Sequence, residues 1–161
     1  EPGTTVSETD IVICVQKGNP KKITSLKDLA REGVRVAVGE PQECTIGVLT
    51  RRLLQEAEIY QVMLDHNIKT QTPSSAMLLP SVITGSSDAV VAYYTDARNN
   101  LDKLDIVMIE SSLARAVQPF SVSLQSDYKY LGHRLFDTLS RSRDKFEAAG
   151  FRWKLGGQSG S

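Results

Sequence analysis

Three short stretches in the middle third of the chain carry the residues best suited to chemistry, and that chemistry is the holding of a small anion. The first is Val34-Arg35-Val36-Ala37-Val38-Gly39-Glu40-Pro41, followed by Thr45-Ile46-Gly47 and an amphipathic run. The second is Thr72-Pro73-Ser74-Ser75, which opens another run. The third is Asp88-Ala89-Val90-Val91-Ala92-Tyr93-Tyr94-Thr95-Asp96-Ala97, a buried strand that ends in paired tyrosines. A helix N-terminus offers backbone N–H groups without intrahelical acceptors and the positive end of a macrodipole. Two such termini and one phenol donor would bind a small anion without any lysine or arginine.

Other chemistries find less in the chain. There is no nucleophile–base pair, phosphate loop or acid/base pair of carboxylates at telling spacing, so no catalytic residue is assigned and an enzyme is not expected. His66 and His133 are isolated in sequence and read as surface residues. Glu40 and Glu43 flank Cys44 at spacings that fit no standard metal site, so no metal ligand is assigned. Thr45, Ser74 and Ser75 also suit plain helix caps, and Tyr93 also suits a core aromatic with a satisfied hydroxyl. Tyr94 reads as structural, and Asp96 as a residue that caps or ties the turn after the strand. Arg141, Arg143 and Lys145 form a basic run that reads as a solvated helix face, with docking to a membrane partner as the alternative.

The elements that must position the three stretches follow from hydrophobic period. Ile11-Val12-Ile13-Cys14-Val15 is a β-branched run and predicts a buried strand, broken by Gly18-Asn19-Pro20. Ser25 caps a short helix over 26–31, with Asp28 as an acidic variant of the capping box, and Gly33 ends it. Residues 34–38 and 68–72 read as strands, 46–57 as an amphipathic helix, and 60–66 as a further helical turn or two. A helix is expected over 75–84, kinked at Pro80. Strands are expected over 88–94, 104–109 and 120–124, and helices over 128–140 and 143–149. Gly156-Gly157-Gln158-Ser159-Gly160-Ser161 reads as a flexible tail. Both cysteines, Cys14 and Cys44, are expected as free thiols, although the pair could form one disulfide.

Composition bounds the function. The chain has 161 residues, enough for a substantial core, with 19 Lys+Arg against 19 Asp+Glu. Zero net charge argues against a nucleic-acid partner, which normally calls for a basic excess. No apolar run approaches the roughly 20 residues of a membrane-spanning helix. Alternating strands and helices imply an α/β fold: three layers, αβα, around a mostly parallel sheet. Ligands in such folds bind beyond the carboxyl ends of strands, where Gly39-Glu40-Pro41 and Tyr93-Tyr94 stand. The division expected is a ligand-binding lobe over 1–126, C-terminal helices over 127–155 and the tail over 156–161.

The ordered set of Val36-Ala37-Val38-Gly39-Glu40-Pro41, Thr45-Ile46-Gly47 and residues 88–97 resembles periplasmic molybdate-binding proteins of ABC transporters. Residues 11–20 are similar to that family's crossover into its second lobe. Phe146-Glu147-Ala148-Ala149-Gly150-Phe151 is similar to its C-terminal helix ending. The resemblance covers roughly residues 8 to 153. It implies a type II periplasmic-binding-protein lobe in which a tetrahedral oxyanion, molybdate or tungstate, is the ligand and no cofactor is needed. It places ligand contacts on the Ile46 and Ser75 backbone N–H groups and the Tyr93 hydroxyl, with Thr45 and Ser74 beside them. It also implies an ABC permease as partner and a periplasmic or extracellular location.

Departures from the family pattern are specific. Thr45-Ile46-Gly47 stands where the family commonly has Pro-Ala-Gly, which sets a bulky side chain by the site. Ser74-Ser75 stands where an apolar residue is common and adds a hydroxyl. The family's first lobe has no counterpart in these 161 residues, so the chain is expected to be a second lobe plus C-terminal segment. Apolar surface left without cover could then support a homodimer of this piece. Two other functions compete. One is a ligand-sensing regulatory domain of the same fold, and the other is ferric-iron binding through Tyr93-Tyr94.

Overall fold

The β-branched run at 11–15 becomes the centre of a five-stranded sheet in the computed structural model, which describes residues 3–156. The strands are β1 (Thr4–Gln16), β2 (Val36–Gly39), β3 (Ile68–Thr72), β4 (Ala89–Tyr93) and β5 (Leu104–Met108), in the order β3-β2-β4-β1-β5. β2 runs parallel to β3 and to β4, and β1 runs antiparallel to β4 and to β5. Four of the five strands therefore point one way, and β1 opposes them. The register sets Gly39 beside Thr72 and Ala37 beside Val90. Strands buried on both faces read as continuous apolar runs, and residues 11–15 and 89–92 are buried throughout.

Helices α1 (Thr45–Glu56), α2 (Tyr60–His66), α3 (Leu78–Ile83) and α4 (Tyr94–Ala97) belong with this sheet. α1 buries Ile46, Leu53 and Leu54; α2 buries Met63; α3 buries Leu78, Leu79 and Val82. These side chains join the strand residues in one core. Before them, a 3-10 turn over Leu26–Ala30 is capped as its sequence indicates. The Asp28 carboxylate accepts from the Ser25 and Thr24 N–H groups at 2.9 and 2.8 Å. Gly33 then takes φ +76, a left-handed value open to glycine at little cost.

The chain divides into two compact units, Asp10–Arg115 and the residues up to Thr9 together with those from Ala116 onward. β1 is long enough to give its first residues to one unit and the rest to the other. In the smaller unit the start of β1 pairs with β6 (Arg115–Phe120) and β7 (Arg152–Trp153). Helices α5 (Lys129–Ser140) and α6 (Arg143–Ala148) complete it. Phe146 packs edge-on against Phe151 and Trp153, at ring separations of 5.9 and 5.3 Å. Tyr128, Tyr130, Leu131 and Leu135 are exposed, and no residue of α5 is fully buried.

Several expected elements differ. β1 starts at Thr4 and not at Ile11, because polar residues in its first half are held by partners. Ser7 Oγ donates to Gln118 at 3.1 Å, and Glu8 meets Arg152 at 3.0 Å and Lys154 at 3.1 Å. Tyr94 opens α4 instead of ending the strand. The strand expected over 120–124 lies at Arg115–Phe120, and Val122 instead closes on Gly132 of α5, where an added Cβ would lie 2.8 Å from its Cγ2. The kink expected at Pro80 is replaced by a break. A 3-10 turn over Ser75–Met77 precedes α3, so Pro80 falls in the first turn of α3, where an N–H has no intrahelical acceptor. Of the expected tail, 157–161 lies outside the described residues.

The starts of β2 and β4 are clamped by one carboxylate. Asp88, 4 % exposed at its side chain, accepts from the Arg35 N–H at 2.8 Å and from its guanidinium at 2.9 and 3.2 Å. Burial works against the Asp88 charge, but the Arg35 hydrogen bonds and charge outweigh it and hold the carboxyl below its usual range. A depressed folded-state pKa adds stability above the unfolded value, near 3.9, and that stability is lost as pH falls through the folded value. Asp88→Ala is expected to cost about 2 kcal/mol in urea unfolding at neutral pH, because it leaves the part-buried Arg35 N–H and its guanidinium without their acceptor. The variant's deficit relative to the native chain should shrink below pH 4. A neutral-pH loss under 0.5 kcal/mol would contradict the clamp.

Candidate functional site

Parallel pairing brings the carboxyl ends of β3, β2 and β4 side by side, about 4.8 Å apart. Each strand end leads into a helical start: β2 through 40–44 to α1, β3 through Pro73 and Ser74 to the 3-10 turn at Ser75, and β4 directly into α4. The sequence stretches with anion-binding character therefore occupy one edge of the sheet. Thr45, Ile46, Ser74, Ser75 and Tyr93 all stand in these three connections.

The start of α1 is pressed against the end of β2. A Cβ on Gly39 would lie 2.7 Å from Cys44 Sγ, 2.8 Å from Gly47 N and 2.8 Å from Ile46 Cγ2. A Cβ on Gly47 would lie 2.5 Å from Glu40 C, 2.6 Å from its oxygen and 2.6 Å from Gly39 O. Only glycine at both positions allows this approach. The Glu40 N–H donates to Thr72 O at 2.8 Å, joining the ends of β2 and β3. Glu40 O in turn accepts from the Glu43 and Cys44 N–H groups, at 3.1 and 3.0 Å, and closes the turn before α1.

The donors are unevenly used. The N-cap of α1 is Cys44, and Thr45 is the first helical residue and not the cap. The Gly47 N–H folds back to Cys44 O at 3.1 Å, whereas the Thr45 and Ile46 N–H groups reach no backbone acceptor among the described residues. Ile46 keeps its bulky side chain in the core, 1 % exposed, so it does not crowd the edge. At the second start, Ser74 is the cap: its Oγ accepts from the Ala76 N–H at 3.3 Å, and its carbonyl accepts from the Met77 N–H at 3.2 Å. The Ser75 N–H has no such partner among the described residues.

Tyr93 is half-buried at the end of β4, and its hydroxyl bonds to no other described residue. Burial first, then electrostatic interaction with Cys44 and Asp96, pushes its phenol above the usual range. The group is therefore a neutral O–H donor at physiological pH. Asp96 lies in the first turn of α4, where its backbone carbonyl accepts from Asn100 Nδ2 at 3.2 Å and ties the turn. Partial burial raises its carboxyl above the usual range. Cys14 and Cys44 are both free thiols. Burial, then the charge of Asp96, pushes the Cys14 thiol up to about 12, so it is chemically quiet.

The arrangement offers neutral hydrogen-bond donors to a ligand: amides of Thr45, Ile46 and Ser75, and the Tyr93 hydroxyl. Sequence reasoning missed the roles of Gly39, Cys44 and Gly47. The two glycines flank the turn in the sequence, and their joint requirement is visible only once the helix sits on the strand end. Gly47→Ala forces backbone to move, so it is expected to cost about 2–3 kcal/mol in thermal or urea unfolding. A melting temperature within 1 °C of the native chain would contradict the close approach.

Comparison with known proteins places this chain in a family. The family model described as bacterial extracellular solute-binding protein matches residues 1–152. The curated molybdate-binding protein ModA of Mycobacterium tuberculosis strain H37Rv is 35 % identical over 104 residues, covering 65 % of this chain and 38 % of that protein. The chain thus spans well under half the length of the curated relatives it matches. Among solved structures, the periplasmic molybdate-binding protein of Azotobacter vinelandii shares the fold at TM-score 0.71 and 12 % identity, covering 95 % of this chain and 68 % of that one. The sulfate-binding protein SubI of Mycobacterium tuberculosis H37Rv gives TM-score 0.70 at 18 % identity, covering 94 % and 58 %. Peb3 of Campylobacter jejuni gives 0.67 at 22 %, covering 94 % and 68 %. With the family model matched over nearly its whole length, the chain belongs to the bacterial extracellular solute-binding proteins.

Proposed function

We propose that this chain forms one side of an oxyanion site, and that the protein delivers molybdate or tungstate to an ABC permease from outside the cytoplasmic membrane. The reading rests above all on one observation: unfilled neutral donors stand at three adjacent strand ends. The Thr45 and Ile46 amides, the Ser75 amide beside Ser74, and the Tyr93 hydroxyl are the proposed contacts. Hydrogen bonds from N–H and O–H to an anionic oxygen are charge-assisted and strong. A lining that only donates suits a fully deprotonated tetrahedral dianion. It suits hydrogen phosphate less well, since that ion carries a proton needing an acceptor.

Two further points support the anion over iron. Phenolate ligation requires Tyr93 to lose its proton, and its surroundings hold that proton more tightly. Among the described residues no group of three or more His, Cys, Asp or Glu could complete an iron shell. The molybdate reading draws on the curated relatives, and the fold alone is shared with a sulfate-binding protein as well.

Calorimetric titration of molybdate, tungstate, sulfate and phosphate into the protein expressed from its complete gene tests the reading. Molybdate or tungstate is expected to bind most tightly. Tyr93→Phe should weaken binding by about tenfold or more, the worth of a hydrogen bond to a charged group. Its melting temperature should stay within about 1 °C, since the hydroxyl bonds to no other described residue. No binding of any of the four anions would overturn the proposal, and a visible charge-transfer band on adding ferric iron would favour the tyrosine-iron alternative.

A further inference from the structure

Cysteine is an unusual choice for the N-cap of α1. Ser, Thr, Asp and Asn are preferred there because a side-chain oxygen accepts from the amide two or three residues on. Cys44 has the extended backbone of a cap, φ −142° and ψ 149°, yet makes no side-chain capping bond. Its Sγ donates in the opposite direction, toward Glu40 O at 3.5 Å and Thr72 O at 3.7 Å. One carbonyl closes the turn after β2, and the other ends β3. Gly39, which leaves the space filled by Sγ, makes this placement possible. A thiol is a weak donor and a weak acceptor. It can bridge two carbonyls without engaging the amides ahead of it.

We propose that Cys44 is a positioning residue of the oxyanion site, a cap that ties the ends of β2 and β3 together by donating and leaves the Thr45 and Ile46 amides to the ligand. The inference rests on the oxyanion reading given above. An oxygen in place of sulfur would work against the ligand. A serine Oγ is a strong acceptor; it would take the Ile46 N–H, stabilise α1 and compete with the anion. Alanine would lose the tie between the strand ends and leave the amides open.

The order of the two substitutions separates this role from a purely structural one. If Cys44 only supports the fold, serine, which keeps a donor, should rescue what alanine loses in both stability and affinity. The donor-cap account predicts opposite orders. Cys44→Ser should melt no lower than the native protein and above Cys44→Ala. It should nevertheless bind molybdate about fivefold or more weakly than Cys44→Ala. Amide hydrogen exchange by NMR without anion provides an independent arm: Cys44→Ser should slow exchange at Ile46 relative to the native protein. A serine variant that binds molybdate as tightly as the native protein, or leaves the Ile46 amide exchanging at its native rate, would overturn the proposal. If the native protein binds no molybdate, the oxyanion reading fails separately, and the exchange arm alone decides the direction of the cap.

Discussion

The structure depends on a close contact: the first turn of α1 lies directly on the end of β2, where neither Gly39 nor Gly47 contributes a side chain. Gly39 and Gly47 are the two sides of that contact, and an added Cβ on either would sit under 3 Å from its neighbours. The contact fixes where the helix begins. It also fixes where the unfilled amides of the first turn lie, at the carboxyl edge of the sheet. The Glu40 N–H bond to Thr72 O extends the same edge to β3. Parallel pairing of β2 with β4 brings Tyr93 into line. Local geometry at two glycines thus sets the position of donors drawn from three separate stretches of sequence.

The chemistry of that edge is neutral donation. A cation would attract any anion at long range, protonated ones included. Helix-start amides and a phenol instead demand short, directed contacts from oxygen atoms that carry charge. Their value depends on leaving the donors unspent within the fold. Ser74 spends its oxygen on Ala76, one residue past the open Ser75 amide. Cys44 spends its hydrogen on carbonyls and makes no side-chain capping bond to α1. Tyr93 keeps its proton because burial and nearby negative charge both oppose the phenolate. The arrangement is consistent with a family described as bacterial extracellular solute-binding proteins.

Much of this was legible in the sequence because the relevant signals were local. β-branched runs gave the sheet strands, and 60–66 and 68–72 match α2 and β3 to the residue. The Ser25–Asp28 pair marked a helical turn that the structure contains as a 3-10 turn. Signals that depend on distant partners were not legible. The first half of β1 looks polar, and becomes a strand only because Gln118, Arg152 and Lys154 meet its side chains. Residues 120–124 alternate like a strand, yet Val122 is taken up by Gly132 of α5. At the site, Thr45 and Ser74 had the residue types of caps, but only Ser74 serves as one. The cap that matters for α1 is a cysteine, a type that capping preferences do not flag.

The central claim is that one anion engages donors from three strand ends at once. Two-dimensional amide NMR of the protein during molybdate addition tests it most directly. The account predicts that the Thr45, Ile46 and Ser75 amide protons shift downfield together, along one binding curve, with the Tyr93 ring signals moving in step. Shifts confined to a single loop, or scattered over basic surface residues such as Arg141 and Lys145 while these amides stay still, would contradict it.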